Sequence, residues 1–271
     1  MDNTIVKHFQ TFQNILIKYD SFSDVNSIWN GSFIYPSKNN AHLHALKDKY
    51  FLEKFVGSND LDTAKNIMRW VNEIMLFSEY AEYKGNNTAL EILNFSRENR
   101  KLLNCAMHSI VLTEALLSLG IISRSIQCLP LDPIDNDSHF INIVYINKMK
   151  KWIALDSAFS TYFTDKDENI LNLHEIRNAY ITNKLPKIHR YTRFSQSIGF
   201  NMDWYIVYLA KNLFRFSCTH SASFNEKSNI IYFLEPLGYR GDNLEIKTDD
   251  NINRYIGDEK YFWGNIHDCE K

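Results

Sequence analysis

The chain has 271 residues, of which 30 are basic and 32 are acidic, so its formal net charge is -2. This balance provides no overall field for binding nucleic acid or an anionic membrane surface, and no run of about 18 apolar residues predicts a membrane span. The four cysteines lack the paired short spacings of a disulfide framework, and the first ten residues lack a signal-peptide core. We therefore expect a soluble, cytoplasmic protein with one sizeable core.

The first part of the chain predicts one helix followed by a polar connection. Apolar residues from Ile5 to Tyr19 recur at three and four positions, which is typical of a helix that packs on a core. Beyond it, His42 and His44 flank Leu43, and on a strand the two histidines would share one face, as a metal site would require. Because no third ligand lies nearby in the sequence, we expect surface or packing histidines and no metal site.

Two further helices are predicted before the centre of the chain. The first begins at Asp60 or Asp62 and carries Trp70, for which a core position is favoured over a role in a functional site. The second begins at the capping-box pattern 88–91. The residues that follow, 96–103, carry several charges and are expected to form a loop that leads to Cys105 and borders a cleft there.

The stretch from Asn104 to Gly120 predicts a buried central helix. Asn104 is a good N-cap, Gly120 is a good left-handed stop, and Cys105 falls at the first helical position. The helix is apolar almost all round, with Ile110, Val111, Leu112, Leu116, Leu117 and Leu119. Unpaired N–H groups and the helix dipole favour a thiolate at such a position. The sequence thus predicts one reactive thiol at the edge of the core.

A hairpin follows this helix, after a strand-like run over 121–128. Its strands are His139–Ile146 and Trp152–Asp156, and the residues that join them are polar. If the joining loop holds two or four residues, Asp156 faces Ile141, and His139 becomes its diagonal neighbour on the same face. A loop of three or five residues would place Asp156 on the opposite face.

Cysteine, histidine and aspartate in this order can form a thiol nucleophile, its base and an orienting acid. Cys105 would be the nucleophile, His139 the general base and Asp156 the carboxylate that fixes the imidazole. His108 lies one helical turn from Cys105 and is expected to pack or to face solvent. The remaining cysteines are expected to be structural or incidental: Cys128, Cys218 and Cys269.

These residues resemble the core of the transglutaminase-like superfamily of papain-like cysteine enzymes. The resemblance is carried by Cys105, the helix exit 119–124, Ser138-His139 and the strand 151–157. Members have a cysteine at a helix start, a Gly-Ile-x-x-Arg turn, a histidine on one strand and a Trp-x-x-x-Asp strand. The chain departs from the pattern at Leu103, where members have glycine, and at Phe140. The similarity extends upstream to Leu46 and downstream to about Pro186.

The resemblance implies an α+β fold in which the nucleophile helix packs on a small antiparallel sheet. We expect a transglutaminase-like catalytic core over 46–190, with an N-terminal helical extension (1–45) and a C-terminal extension (191–271) packed on the same domain. Within the C-terminal extension, Asp203–Phe216 predicts a buried helix and Ile230–Leu234 predicts a strand.

The resemblance also implies cysteine-dependent acyl transfer or amide hydrolysis, as in a peptidase, an amidase or a transglutaminase-like enzyme. The expected substrate is a peptide or protein amide or an acyl thioester, with no cofactor and with no nucleic-acid or membrane partner. Two alternatives remain open. One is a catalytically silent scaffold of the same fold, and the other is a metal-binding regulator that uses Cys105, His108 and His139.

Overall fold

The structure is a computed structural model that describes residues 2–22, 33–81, 83–99, 102–191, 200–222, 230–239 and 253–264. Within these ranges the helices are α1 (Asn3–Lys18), α2 (Ala41–Tyr50), α3 (Asp60–Ile74), α4 (Ala89–Asn99), α5 (Cys105–Ser118), α6 (Leu173–Ile181), α7 (Met202–Asn212) and α8 (Glu259–Trp263). The strands are β1 (Leu76–Phe77), β2 (Leu102–Leu103), β3 (Ser123–Leu129), β4 (His139–Ile146), β5 (Lys151–Asp156), β6 (Thr161–Thr164), β7 (Lys187–Arg190), β8 (Arg215–Thr219), β9 (Ile230–Leu234) and β10 (Asn253–Ile256). None of the described helices combines the length and the apolar character that crossing a bilayer requires.

One sheet organises the fold. In the described part of the chain its eight strands follow the order β10-β9-β8-β3-β4-β5-β6-β7, and β1 pairs separately with β2. Neighbours in the large sheet run antiparallel except β9 and β10, which run parallel. The predicted α+β class is confirmed. The sheet is larger than expected, because β8, from the C-terminal extension, pairs with β3 and adds further strands to the sheet.

Helices cover both faces of this sheet. On β4, Ile141 and Ile143 pack in one apolar cluster with residues of α1, α6 and α7. Val144 and Ile146 pack in a second cluster with residues of α3, α4 and α5. Side chains alternate between the faces of a strand, so β4 is buried on both sides and reads as a nearly continuous apolar run.

Helix α5 has the predicted ends and the predicted burial. The Asn104 side chain accepts a hydrogen bond from the Met107 N–H at 3.3 Å, so the helix begins at Cys105. After the last turn, Gly120 has a φ of 79°, a left-handed conformation in which glycine carries no steric penalty. Residues 107–118 are all buried, which confirms a central helix that is enclosed on every side.

Of the alternative registers left open for the β4–β5 hairpin, the structure has the one with a four-residue loop. Asn142 pairs with Leu155, and Ile146 pairs with Lys151, so the joining loop holds the four residues 147–150. This loop length places His139 and Asp156 on the same face of the sheet.

The metal site considered for His42 and His44 required a strand, and the structure has a helix there. Both residues lie on α2, because the Asn40 side chain accepts hydrogen bonds from the N–H groups of His42 and Leu43 and starts a helix there. Leu43 and Leu46 are then buried one turn apart, as helical periodicity requires. The two histidines point to different partners and share no strand face.

Two helix boundaries also differ from the prediction. The charged loop expected over 96–103 is wrong, since α4 continues to Asn99 and Leu102–Leu103 pairs with β1. Ser96 is buried on the same face of α4 as Ile92 and Leu93, so the helix continues into the polar residues. The helix expected to reach Phe216 ends at Asn212, because Arg215 and Phe216 pair with β3 as part of β8.

Candidate active site

Cys105 is a free, half-buried cysteine at the first residue of α5. Its Sγ lies 4.0 Å from the carbonyl oxygen of Ser138, the residue that precedes β4. At this position the backbone N–H has no intrahelical acceptor, and the positive end of the helix dipole lies beside the sulfur. The position therefore favours negative charge on the sulfur and on an oxyanion close to it.

His139 and Asp156 are in direct contact. His139 Nε2 lies 2.6 Å from Asp156 Oδ2, and the two side chains are 1% and 0% exposed. Because Nε2 is hydrogen-bonded to Asp156, Nδ1 is the ring nitrogen that can interact with Cys105. A hydrogen bond with Cys105 is among the factors that raise the pKa of His139. The structure thus brings together the three residues selected from the sequence, while their roles in catalysis stay predictions.

The pKa values of this pair follow from burial and mutual attraction. Burial alone would lower the pKa of His139, but the charge and the hydrogen bond of Asp156 outweigh it and raise this pKa. Burial alone would raise the pKa of Asp156, but His139 and the hydrogen bonds it receives lower it. The pair is therefore stabilised as imidazolium and carboxylate, the form that can share a site with a thiolate.

Asp156 receives more hydrogen bonds than the one from His139. Its Oδ1 accepts from the N–H groups of Ala158 and Phe159 at 3.0 and 3.2 Å. Its Oδ2 also accepts from the Tyr205 hydroxyl at 2.6 Å. A buried carboxylate needs such partners, because its desolvation would otherwise favour the protonated acid.

Aromatic rings surround the histidine. The Tyr208 ring lies 5.3 Å from that of His139 and meets it edge on, and the Phe159 ring lies at 5.5 Å. The Tyr208 hydroxyl donates to Ser138 O at 2.9 Å, the same oxygen that the Cys105 sulfur approaches. Trp204, which is 40% exposed, stacks on Tyr208 with a centroid distance of 4.6 Å.

Sequence reasoning missed Tyr205, Tyr208 and Phe159. The two tyrosines lie on α7, in a stretch where the apolar pattern indicates packing and nothing indicates a partner. One general signal was available, since a buried tyrosine hydroxyl usually has a hydrogen-bond partner. That signal names no partner, and the partner follows only from the three-dimensional arrangement.

Two other residues considered in the sequence analysis, His108 and Trp70, take no part in the contact between His139 and Asp156. His108 is fully buried, its Nδ1 lies 3.0 Å from Asn104 O, and burial lowers its pKa, so it packs beneath the site. Trp70 is buried between the rings of Tyr50 and Phe55, as a core residue.

Cys128 and Cys218 are buried thiols, and Cys269 lies outside the described residues. Among the residues that the structure describes, no group of three or more His, Cys, Asp or Glu side chains could hold a metal ion.

A family model of the transglutaminase-like superfamily matches residues 52–157. No curated protein and no solved structure matches the chain. The matched segment includes Cys105, His139 and Asp156, whereas α7 lies beyond its end. Residues 52–157, which contain the central helix and the hairpin, are thus similar to the core of the transglutaminase-like superfamily.

Proposed function

We propose that the protein is a cysteine-dependent enzyme that transfers an acyl group from a peptide-like amide or a thioester to water or to an amine. Cys105 is the nucleophile, His139 the general acid and base, and Asp156 the orienting carboxylate. The observation that carries the proposal is the fully buried His139–Asp156 contact at 2.6 Å beside a half-buried thiol at a helix N-terminus.

In the first half of the reaction, the Cys105 thiolate attacks the substrate carbonyl carbon and forms a carbon–sulfur bond. The carbonyl oxygen becomes an oxyanion, which the backbone N–H of Cys105 stabilises. When the oxyanion collapses, the bond to the leaving amine or thiol breaks, and imidazolium His139 gives it a proton. The product of this half is an acyl thioester on Cys105.

In the second half, water or an amine attacks the thioester carbonyl carbon. Neutral His139 takes the proton of the attacking group, and the Cys105 thiolate leaves as the carbon–sulfur bond breaks. Asp156 holds the imidazole in one orientation and stabilises the imidazolium in both halves. Hydrolysis and transamidation thus differ only in the group that attacks the thioester.

Reactivity of the thiol is the first test. Cys105 should react with iodoacetamide faster than an ordinary free thiol at neutral pH, as followed by peptide mass spectrometry between pH 4 and 10, because His139 lies beside it. Cys218 in the same chain is the internal control, because burial raises its pKa to about 11 despite the nearby Arg124. A Cys105 profile like that of an ordinary exposed thiol would favour the silent scaffold.

The acyl-enzyme is the second test. Protein incubated with a panel of acyl thioesters and peptide p-nitroanilides should gain the acyl mass on Cys105, and Cys105→Ala should gain none. Cys218→Ala is the matched control and should be acylated like the unaltered protein. Adding a primary amine to the acylated protein then separates transamidation from hydrolysis, since only transamidation forms the amide.

A further inference from the structure

Helix α7 contacts Asp156 through Tyr205. The Tyr205 hydroxyl donates to Asp156 Oδ2 at 2.6 Å, the same oxygen that accepts from His139 Nε2. Tyr205 is fully buried, with its ring 5.1 Å from that of Phe159. The contact therefore lies in a dry site, where a hydrogen bond to a carboxylate is strong.

The direction of a second hydrogen bond follows from counting protons. Thr161 Oγ1 lies 3.0 Å from the Tyr205 oxygen, and Thr161 pairs with Asp156 across β5 and β6. A tyrosine hydroxyl has one proton, which the ionised Asp156 accepts, so Thr161 must donate to Tyr205. The result is a chain of donors from Thr161 to Tyr205 to Asp156, in which each bond polarises the next.

We propose that Tyr205 is a positioning residue of the site, which holds Asp156 Oδ2 in the orientation that accepts from His139, with Thr161 supporting it. This inference rests on the proposed roles of His139 and Asp156. It makes α7, which lies outside the family-matched segment, a part of the machinery.

The other contacts of Asp156 explain why this oxygen needs support. The two N–H groups that bind Oδ1 belong to Ala158 and Phe159, in the turn that directly follows Asp156. Among the residues that the structure describes, Oδ2 has no such local donor, so it depends on His139 and Tyr205. Without the tyrosine hydroxyl, Oδ2 is held by His139 alone, and the ionised carboxylate loses a hydrogen bond.

Helix α7 is itself anchored to the loop that leads to His139. The Tyr208 hydroxyl donates to Ser138 O at 2.9 Å, and Lys211 Nζ lies 2.7 Å from Asp135 and 2.8 Å from Asp137. Tyr205 is therefore fixed relative to the same loop whose end carries the histidine. A positioning residue requires this rigid attachment.

The test replaces Tyr205 with phenylalanine, which keeps the ring contacts and removes the hydroxyl. Tyr180→Phe is the matched control, because Tyr180 is equally buried and its hydroxyl has no hydrogen-bond partner among the described residues. The readout is the Asp156 carboxyl carbon signal in a pH titration by NMR, assigned with Asp156→Asn. Loss of a hydrogen bond to the carboxylate should move this titration upward by about one pH unit in Tyr205→Phe and leave it unchanged in Tyr180→Phe.

A double-mutant cycle tests the order of the donors. Thr161→Val should move the Asp156 titration in the same direction by a smaller amount, and it should have no effect in the Tyr205→Phe background. Thr161→Val also keeps the proposal testable if Tyr205→Phe folds poorly. Equal effects of Thr161→Val in both backgrounds would overturn the relay.

The rate of Cys105 alkylation at acidic pH supplies an independent readout. In Tyr205→Phe, Asp156 should become protonated at a higher pH, so alkylation at acidic pH should slow by up to about tenfold. An unreactive Cys105 would overturn the proposed function, while the Asp156 titration would still test Tyr205. If Tyr205→Phe changes neither the Asp156 titration nor the rate of Cys105 alkylation at acidic pH, the positioning role is overturned even if Cys105 is reactive.

Discussion

His139 Nε2 lies 2.6 Å from Asp156 Oδ2, although the two residues are 17 positions apart and lie on different strands. The contact exists because a four-residue loop sets the register of β4 and β5, which makes the two residues diagonal neighbours on one face. Since both side chains are buried, each charge depends on the other, and removing one leaves the other without its counter-ion.

Asp156→Asn should disable the site while leaving the fold in place. The variant keeps the size of the side chain but removes the charge that stabilises imidazolium His139. We expect acylation of Cys105 to slow by about 100-fold or more. Asp167→Asn, an exposed position on the β6 turn, is the control and should react at the normal rate. A normal rate in Asp156→Asn would contradict the assigned role.

Stability should depend on pH on both sides of the His139–Asp156 pair. The pKa of His139 is raised from 6.5 to about 10, so its contribution is complete below pH 6.5 and is lost as the pH rises to about 10. The pKa of Asp156 is lowered from 3.8, so its contribution is present above pH 3.8 and is lost on further acidification. Urea unfolding across pH 3 to 10 should show this loss above pH 6.5, and Asp156→Asn should reduce it. An alkaline loss of equal size in Asp156→Asn would assign it to other groups.

The buried Glu114 should couple three helices. Its Oε2 lies 3.0 Å from His42 Nε2 on α2 and accepts from the Ala89 N–H at the start of α4 at 2.8 Å. Glu114→Gln should therefore lower the free energy of unfolding by about 1–3 kcal/mol, because a buried donor loses its charged acceptor. His44→Gln removes an exposed contact with Asp48 and should change it by less than about 0.5 kcal/mol.

Glu114→Gln should also alter how the free energy of unfolding depends on pH near neutrality. The hydrogen bond and charge of Glu114 raise the pKa of His42 from 6.5 against the effect of burial. The His42 contribution is thus complete below pH 6.5 and is lost as the pH rises through the raised value. Unfolding curves of Glu114→Gln should lack this component and keep the component of His139.

Asn104→Ala should affect both the stability and the reactive thiol. The change removes the N-cap of α5 and should cost about 0.5–2 kcal/mol of unfolding free energy. Because Cys105 is the next residue, fraying of the first turn should also slow its alkylation at neutral pH. Asn172→Ala removes the N-cap of α6, away from the thiol, and should lower stability without slowing alkylation. Equal alkylation in the two variants would show that the cap does not set the reactivity.

Local sequence predicted the elements that carry the site. The Asn104 cap and the Gly120 stop bound α5, and both act through the backbone within a few residues. The alternation of side chains fixed His139 and Asp156 to one face once the loop length was specified. The sequence allowed loops of both parities, and the four-residue loop is a feature of the folded hairpin.

The differences from the prediction have two origins, a distant strand pairing at Phe216 and a local helix cap at Asn40. Phe216 continues an apolar run that fits a helix, but pairing of β8 with β3 places it in the sheet. His42 lies on a helix that Asn40 caps, and its partner Glu114 comes from α5. Short apolar segments fit helix and strand templates equally well, so tertiary pairing decides between them.

The sequence by itself determined the start of α5 at Cys105 and the strands that carry His139 and Asp156, since caps and strand alternation act over short distances along the chain. Tertiary structure alone decided that α7 packs on the face to which His139 and Asp156 point, where Tyr205 donates to Asp156. A hydrogen bond between residues 49 positions apart depends on how the two layers pack, and no local periodicity encodes that arrangement.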